Sequence, residues 1–185
     1  MSGHPLDIRR IPGSWVGKGP YFLLALAILA ADQWTKALVE AHFFLHTGIE
    51  VIPGFFQLSH VRNTGVAFGI FASQDGTASP ALVAFTILAL GAVLLYLRLV
   101  PLGERRLLGA VGLLLGGAAG NLLDRLAAGA VTDFLDVSIG SHHWPAFNVA
   151  DSAITVGIGL LILDTFLGRP AATEDSPTDA SGETP

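Results

Sequence analysis

The 185-residue chain contains no cysteine, which rules out a disulfide framework and a thiol nucleophile. Charge is also scarce: Asp, Glu, Lys and Arg make up 14% of the residues, against roughly 25% in soluble domains. No basic run, zinc-ligand spacing or phosphate-binding glycine loop occurs, so nucleic-acid, structural-zinc and nucleotide functions have no basis in the sequence. His42, His46, His60, His142 and His143 form no HExxH or comparable pattern and are read as surface loop residues. What the chain does have is apolar surface: 51% of it is hydrophobic and its mean hydropathy is +0.59, a membrane-protein composition. The net charge of -5 says little about partners, because Glu174, Asp175, Asp179 and Glu183 lie in a polar C-terminal tail.

A membrane-crossing helix needs about 20 mainly apolar residues. Four segments qualify, at about 20–39, 81–98, 107–127 and 149–167. The first, with Arg9 and Arg10 before it and Ala30 and Ala31 in its second half, also has the outline of a cleaved signal peptide; the amphipathic continuation Asp32 to Val39 favours a full span. Arg9, Arg10, Lys18, Arg98, Arg105, Arg106 and Arg169 fall before span one, between spans two and three, or after span four. Basic residues accumulate on the cytoplasmic side, so both termini are expected there. The domain order is then a cytoplasmic segment at 1–19, a four-helix domain at 20–168 and a disordered cytoplasmic tail at 169–185, whose composition cannot bury enough apolar area to fold. Trp34 and Trp144 suit the outer interfacial belt and Trp15 the inner one.

The expected fold class is an all-α membrane protein of four transmembrane helices with a small β element on the outer, periplasmic face. Strand signals lie in the outer loops at about 40–80 and 128–148: Phe55 to Val61, a turn at Asn63-Thr64-Gly65, a second run from Val66 to Phe71, and the alternating stretch Val131 to Val137.

Intramembrane carboxylates are costly and usually functional. Asp124 lies 18 residues beyond Arg106 on span three, and Asp151 lies 18 residues before Arg169 on span four. At 1.5 Å per residue each sits about 27 Å from its cytoplasmic marker, near the outer edge of a core about 30 Å thick. Antiparallel neighbours would bring the two level. Two carboxyls sharing a low-dielectric site cannot both ionise cheaply, which yields one acid and one base, the requirement for hydrolysing an amide with an activated water. A structural pair, such as Asp124 with Arg125, remains the alternative at this point. Gly112, Gly116 and Gly120 form a flat stripe on span three suited to close helix packing.

Five blocks resemble the signatures of the bacterial lipoprotein signal peptidase (signal peptidase II) family, in the right order: Asp32-Gln33-Trp34-Thr35-Lys36, Asn63 to Gly69, Gly120-Asn121-Leu122-Leu123-Asp124-Arg125, Val131-Thr132-Asp133-Phe134 and Phe147-Asn148-Val149-Ala150-Asp151-Ser152. Val66 stands where an alanine is common. The resemblance implies that Asp124 and Asp151 are the catalytic dyad of an aspartic endopeptidase of the inner membrane. It implies a diacylglyceryl-modified prolipoprotein substrate, cut on the N-terminal side of the lipid-bearing cysteine, and no metal or organic cofactor. Membrane lipids and globomycin-type cyclic peptides are the other implied partners, and the protein is expected to act as a monomer.

The supporting residues keep two readings each. Asn63, Asn121 and Asn148 either orient substrate and dyad or cap turns and helix ends. Arg125 holds a loop carbonyl, an acid or a lipid headgroup, or snorkels outward as an anchor. Asp32 and Lys36 suit an i,i+4 ion pair or a role beside the dyad. Asp133 and Asp136 are solvated strand residues or shape the substrate entrance. Asp164, five residues before Arg169, belongs to the inner interface. A proton-coupled transporter and a lipid-binding scaffold are the rival functions; the first expects midplane carboxylates and broken or repeated helices.

Overall fold

The computed structural model describes residues 13–65, 77–140 and 142–167. Its elements run α1 (Gly19–His42), β1 (Gly48–Ile52), β2 (Phe56–Asn63), α2 (Pro80–Leu99), α3 (Arg105–Ala128), β3 (Val131–Ile139), β4 (His142–His143) and α4 (Val149–Leu167). All four helices are long and apolar enough to cross a membrane. The expected strand at Val66 to Phe71, the N-terminal segment up to residue 12 and the tail from residue 168 lie outside the described residues.

The helix ends follow from local chemistry. Prolines occupy the first turns of α1 and α2, where a missing N–H costs nothing. The Ser79 hydroxyl accepts from the Leu82 N–H at 3.3 Å and so caps α2. α3 stops at Gly129, whose φ of 70° is the left-handed conformation glycine adopts without penalty. At the opposite end of the bundle the buried Lys18 donates to the carbonyls of Leu97, Arg98 and Val100, closing the C-terminus of α2 and tying it to the start of α1.

α3 is the axis of the bundle and packs against α1, α2 and α4. Lipid tails are as apolar as leucine, so close approach of backbones rather than apolar burial holds such helices together. The glycines of α3 provide that approach. A Cβ on Gly116 would lie 2.5 Å from the Ala25 carbonyl oxygen, one on Gly112 3.0 Å from that of Tyr21, and one on Gly120 2.5 Å from Asp32 Oδ2. The stripe therefore meets α1. Gly117, one position off the stripe, meets the Ala150 backbone and the Ile154 side chain and gives α4 its own contact. Leu97, Val100, Leu107, Leu108, Val111 and Leu115 form the buried apolar cluster between α2 and α3. Leu88 and Phe166, 73% and 82% exposed, project away from the bundle, where lipid is the apolar neighbour.

The strands form one antiparallel sheet in the order β1-β2-β3-β4. β2 and β3 coincide with the strand signals at Phe55 to Val61 and Val131 to Val137. β1 was not anticipated: all five of its residues are exposed, so it has no buried face to impose an alternating pattern. The expected turn after β2 is present, with the Gly65 N–H donating to Asn63 Oδ1 at 3.0 Å. Two contacts fasten the sheet to the helices: Thr132 Oγ1 donates to Glu40 Oε1 at 2.5 Å, and Arg62 donates to the Ala128 carbonyl.

Candidate active site

At the sheet end of the bundle, α1, α3 and α4 bring seven of the predicted polar residues into one network, which Asn63 of β2 and Asp133 of β3 complete. Lys36 is its cationic hub. Its Nζ lies 2.7 Å from Asp32 Oδ2, donates to Asn121 Oδ1 at 3.1 Å, and lies 2.7 Å from Asp124 Oδ2. The last contact is an ion pair without hydrogen-bond alignment, leaving that oxygen with charge attraction only. Asp124 Oδ1 accepts from Gln33 Nε2 at 2.7 Å. Asp32, fully buried, also accepts the Ala150 N–H at 2.9 Å on Oδ1. The i,i+4 pair expected on α1 is thus real, but it extends to α3 and α4 as well.

Asp151 sits in a capping box at the start of α4. Asn148 Oδ1 accepts the Asp151 N–H at 2.9 Å, and Asp151 Oδ2 accepts the Asn148 N–H at 3.3 Å. Its other oxygen accepts from Asn121 Nδ2 at 2.7 Å. Asp124 and Asp151 are therefore connected through Lys36 and Asn121.

Asp133 departs from the solvated-strand reading. β3 enters the protein at its first four residues, all buried, and Asp133 is 2% exposed. Asn63 Nδ2 donates to its Oδ2 at 3.0 Å and Asn148 Nδ2 to its Oδ1 at 2.7 Å. Burial, then the Asp151 charge, pushes its carboxyl up to about 7, against the pull of the two amides and of Lys36. Asp136, at the more open end of β3, lies 3.5 Å from His143 Nδ1. Arg125 takes the loop-carbonyl role, with Nη2 donating to the Gly65 carbonyl and Nη1 to that of Asn121, each at 3.1 Å. Its Nε is buried without a partner. Asp164 lies at the other end of the bundle, 3.8 Å from Arg106 Nε.

A cavity of about 570 Å³ opens onto this network. Asp151, Asp133, Asn121, Asn63 and Arg125 supply its polar lining, with apolar wall from residues such as Phe147. Asp124, Asn148, Asp32 and Lys36 are not part of the lining. Sequence reasoning had not singled out Gln33. Its signal was available, since it lies three residues before Lys36 and so shares that helix face. The Thr132 to Glu40 bond joins residues 92 apart and had no sequence signal.

The family model for signal peptidase (SPase) II matches residues 24–167. Three lipoprotein signal peptidases are similar along most of their length. That of Syntrophus aciditrophicus is 41% identical over 150 residues, covering 78% of this chain and 90% of that protein. That of Syntrophotalea carbinolica is 46% identical over 145 residues, covering 76% and 87%. That of Shewanella loihica is 42% identical over 163 residues, covering 86% and 94%. Two solved structures, each described as a bacterial membrane enzyme obtained by the in meso method, share the fold. The first, at 2.3 Å resolution, has a TM-score of 0.69 and 29% identity and covers 94% of this chain and 98% of its own. The second, at 1.9 Å, has a TM-score of 0.66 and 31% identity, covering 82% and 94%.

Proposed function

Because the chain belongs to the signal peptidase II family of membrane proteases, we propose that it removes the signal peptide from diacylglyceryl-modified prolipoproteins with a water activated between Asp133 and Asp151, the two carboxyls that line the cavity. The observation that carries this reading is the shared network. Asp151 faces the cavity with its oxygens fixed by Asn121 and Asn148, and Asp133 faces the same cavity with its oxygens held by Asn63 and the same Asn148, whereas Asp124, the partner expected from the sequence, is ion-paired with Lys36 outside the lining. In the reaction the ionised carboxyl takes a proton from water while the protonated one donates to the scissile carbonyl oxygen, so no covalent intermediate forms. General acid–base partners of this kind contribute about 10²–10⁴-fold each. The cut falls on the N-terminal side of the lipid-modified cysteine, which lets the acyl chains stay among the exposed apolar helix faces while the peptide bond meets water.

The chain sits in the bacterial inner membrane in this reading, with both termini cytoplasmic and the sheet outside. Lys18, Arg98, Arg105 and Arg106 at the end opposite the sheet support that orientation. It acts as a monomer, and a globomycin-type cyclic peptide would compete for the cavity. A proton-coupled transporter fits less well, because α3 and α4 run unbroken and carry Asp124 and Asp151 at their sheet ends rather than mid-helix.

The test is a gel-shift assay with purified protein in detergent. Cleavage of the lipid-modified precursor and not of the unmodified one is expected. Folded protein that cleaves neither, yet moves protons across a vesicle membrane, would replace the peptidase reading with the transporter.

A further inference from the structure

The two carboxyls of the proposed dyad sit on different elements, Asp133 on β3 and Asp151 on α4, and one face of α1 is tied to each by a short chain of hydrogen bonds. Lys36 and Glu40 are four residues apart and so share that face, about 6 Å from each other along the helix. Lys36 Nζ donates to Asn121 Oδ1 at 3.1 Å, and Asn121 Nδ2 donates to Asp151 Oδ1 at 2.7 Å. Glu40 Oε1 accepts from Thr132 Oγ1 at 2.5 Å, and Thr132 is the residue before Asp133. We propose that Glu40 is a positioning residue that fixes the placement of Asp133 relative to Asp151 by holding Thr132 at the start of β3. This inference rests on Asp133 and Asp151 being the catalytic pair.

Successive residues of a strand point to opposite faces. Val131 and Asp133 line the cavity, so the Thr132 side chain leaves from the other face of β3, and Glu40 meets it there. The ladder between this part of β3 and β2 covers three pairs, Val61 with Asp133, Arg62 with Thr132 and Asn63 with Val131, before the register shifts between Leu58 and Val61. A shift of this kind interrupts the ladder, so the segment that carries Asp133 draws less restraint from the rest of the sheet. Thr132 is buried, so its hydroxyl needs a protein partner, and a carboxylate acceptor makes the bond one of the stronger kind. Glu40 itself is exposed in the last turn of α1, where a negative charge opposes the helix dipole. It does nothing for α1 there; the bond to Thr132 is what it contributes.

Removing the Glu40 carboxylate leaves a buried hydroxyl without this acceptor, and β3 must shift to satisfy it. Asp133 moves with its neighbour, out of alignment with the Asn63 and Asn148 amides that hold its oxygens at 3.0 and 2.7 Å. Displacing one member of an acid–base pair lowers kcat while leaving substrate binding in place, because only the reacting geometry changes.

The experiment measures kcat and KM of purified full-length protein with a diacylglyceryl-modified prolipoprotein, below the melting temperature of every variant. The set is wild type, Glu40→Ala, Glu40→Gln, Thr132→Val, Thr132→Ser, Glu40→Ala combined with Thr132→Val, and Asp133→Asn. Glu40→Ala and Thr132→Val should each lower kcat about tenfold with KM within about twofold. Glu40→Gln keeps an acceptor oxygen and Thr132→Ser keeps the hydroxyl, so each should stay within about threefold of wild type. The combined variant should be no slower than the slower single one, because both changes remove the same bond. Wild-type kcat in either Glu40→Ala or Thr132→Val, losses that multiply in the combination, or a change confined to KM overturns the inference. Should Thr132→Val fail to fold, the exposed Glu40 still decides: Glu40→Ala slower than Glu40→Gln supports the inference, and equal rates overturn it. Near-wild-type cleavage by folded Asp133→Asn would instead remove the dyad reading, whatever the Glu40 variants do.

Discussion

A carboxyl raised to about 7 has consequences for stability as well as for rate. Asp133 titrates above its ordinary value of 3.8, so the folded state holds its proton more tightly than the unfolded state does. The stabilisation is fully present below about pH 3.8 and is lost as pH rises through about 7. Thermal melts in detergent of wild type and Asp133→Asn should therefore diverge with pH. The wild type should lose ground to the variant between pH 4 and 8, by up to roughly 4 kcal/mol; a pH-independent difference would contradict the buried-carboxyl assignment. The residues of this network were legible one by one, since carboxylates and amides near apolar spans stand out by type. Their partners were not. Nothing in the spacing of Lys36 and Asn121 says that they meet, because that contact depends on how α1 lies on α3.

That contact is decided by the helices and their glycines. A side chain at Gly117 would collide with the Ala150 backbone, which cannot give way without moving the helix that carries Asp151. Gly117→Val should therefore cost about 1–3 kcal/mol and reduce activity together with the melting temperature. Gly109 on the same helix has open space around it, and Gly109→Ala should be neutral or stabilising by about 0.5–1 kcal/mol. Equal melting temperatures for the two variants would mean that α4 does not rest on Gly117. The four spans and the Gly112, Gly116 and Gly120 stripe were readable because apolar length and four-residue periodicity are local properties. β1 was not, since an edge strand with every residue exposed is specified by its partner rather than by its own pattern.

At the scale of the molecule, the sheet caps one end of the bundle, while Lys18, Arg98, Arg105 and Arg106 lie at the other. With no native cysteine in the chain, single cysteines can report on that polarity directly. Glu50→Cys on β1 should react with a membrane-impermeant maleimide in spheroplasts, and Val16→Cys, before α1, should react only after lysis. The reverse pattern would invert the orientation. Length, span number and the asymmetry of Lys and Arg gave this arrangement from the sequence. The cavity was beyond its reach, because α3, α4, β2, β3 and the segment before α4 close it together.

The most direct measurement is single-turnover cleavage of a diacylglyceryl-modified prolipoprotein by wild type, Asp133→Asn, Asp151→Asn and Asp164→Asn, each shown by its melt to be folded. Asparagine keeps the volume of aspartate but cannot exchange the proton, so each dyad variant should lose at least about 10²–10⁴-fold. Asp164→Asn, whose exposed pairing with Arg106 lies at the far end of the bundle, should retain activity. Near-wild-type cleavage by either folded dyad variant would contradict catalysis by two carboxylates.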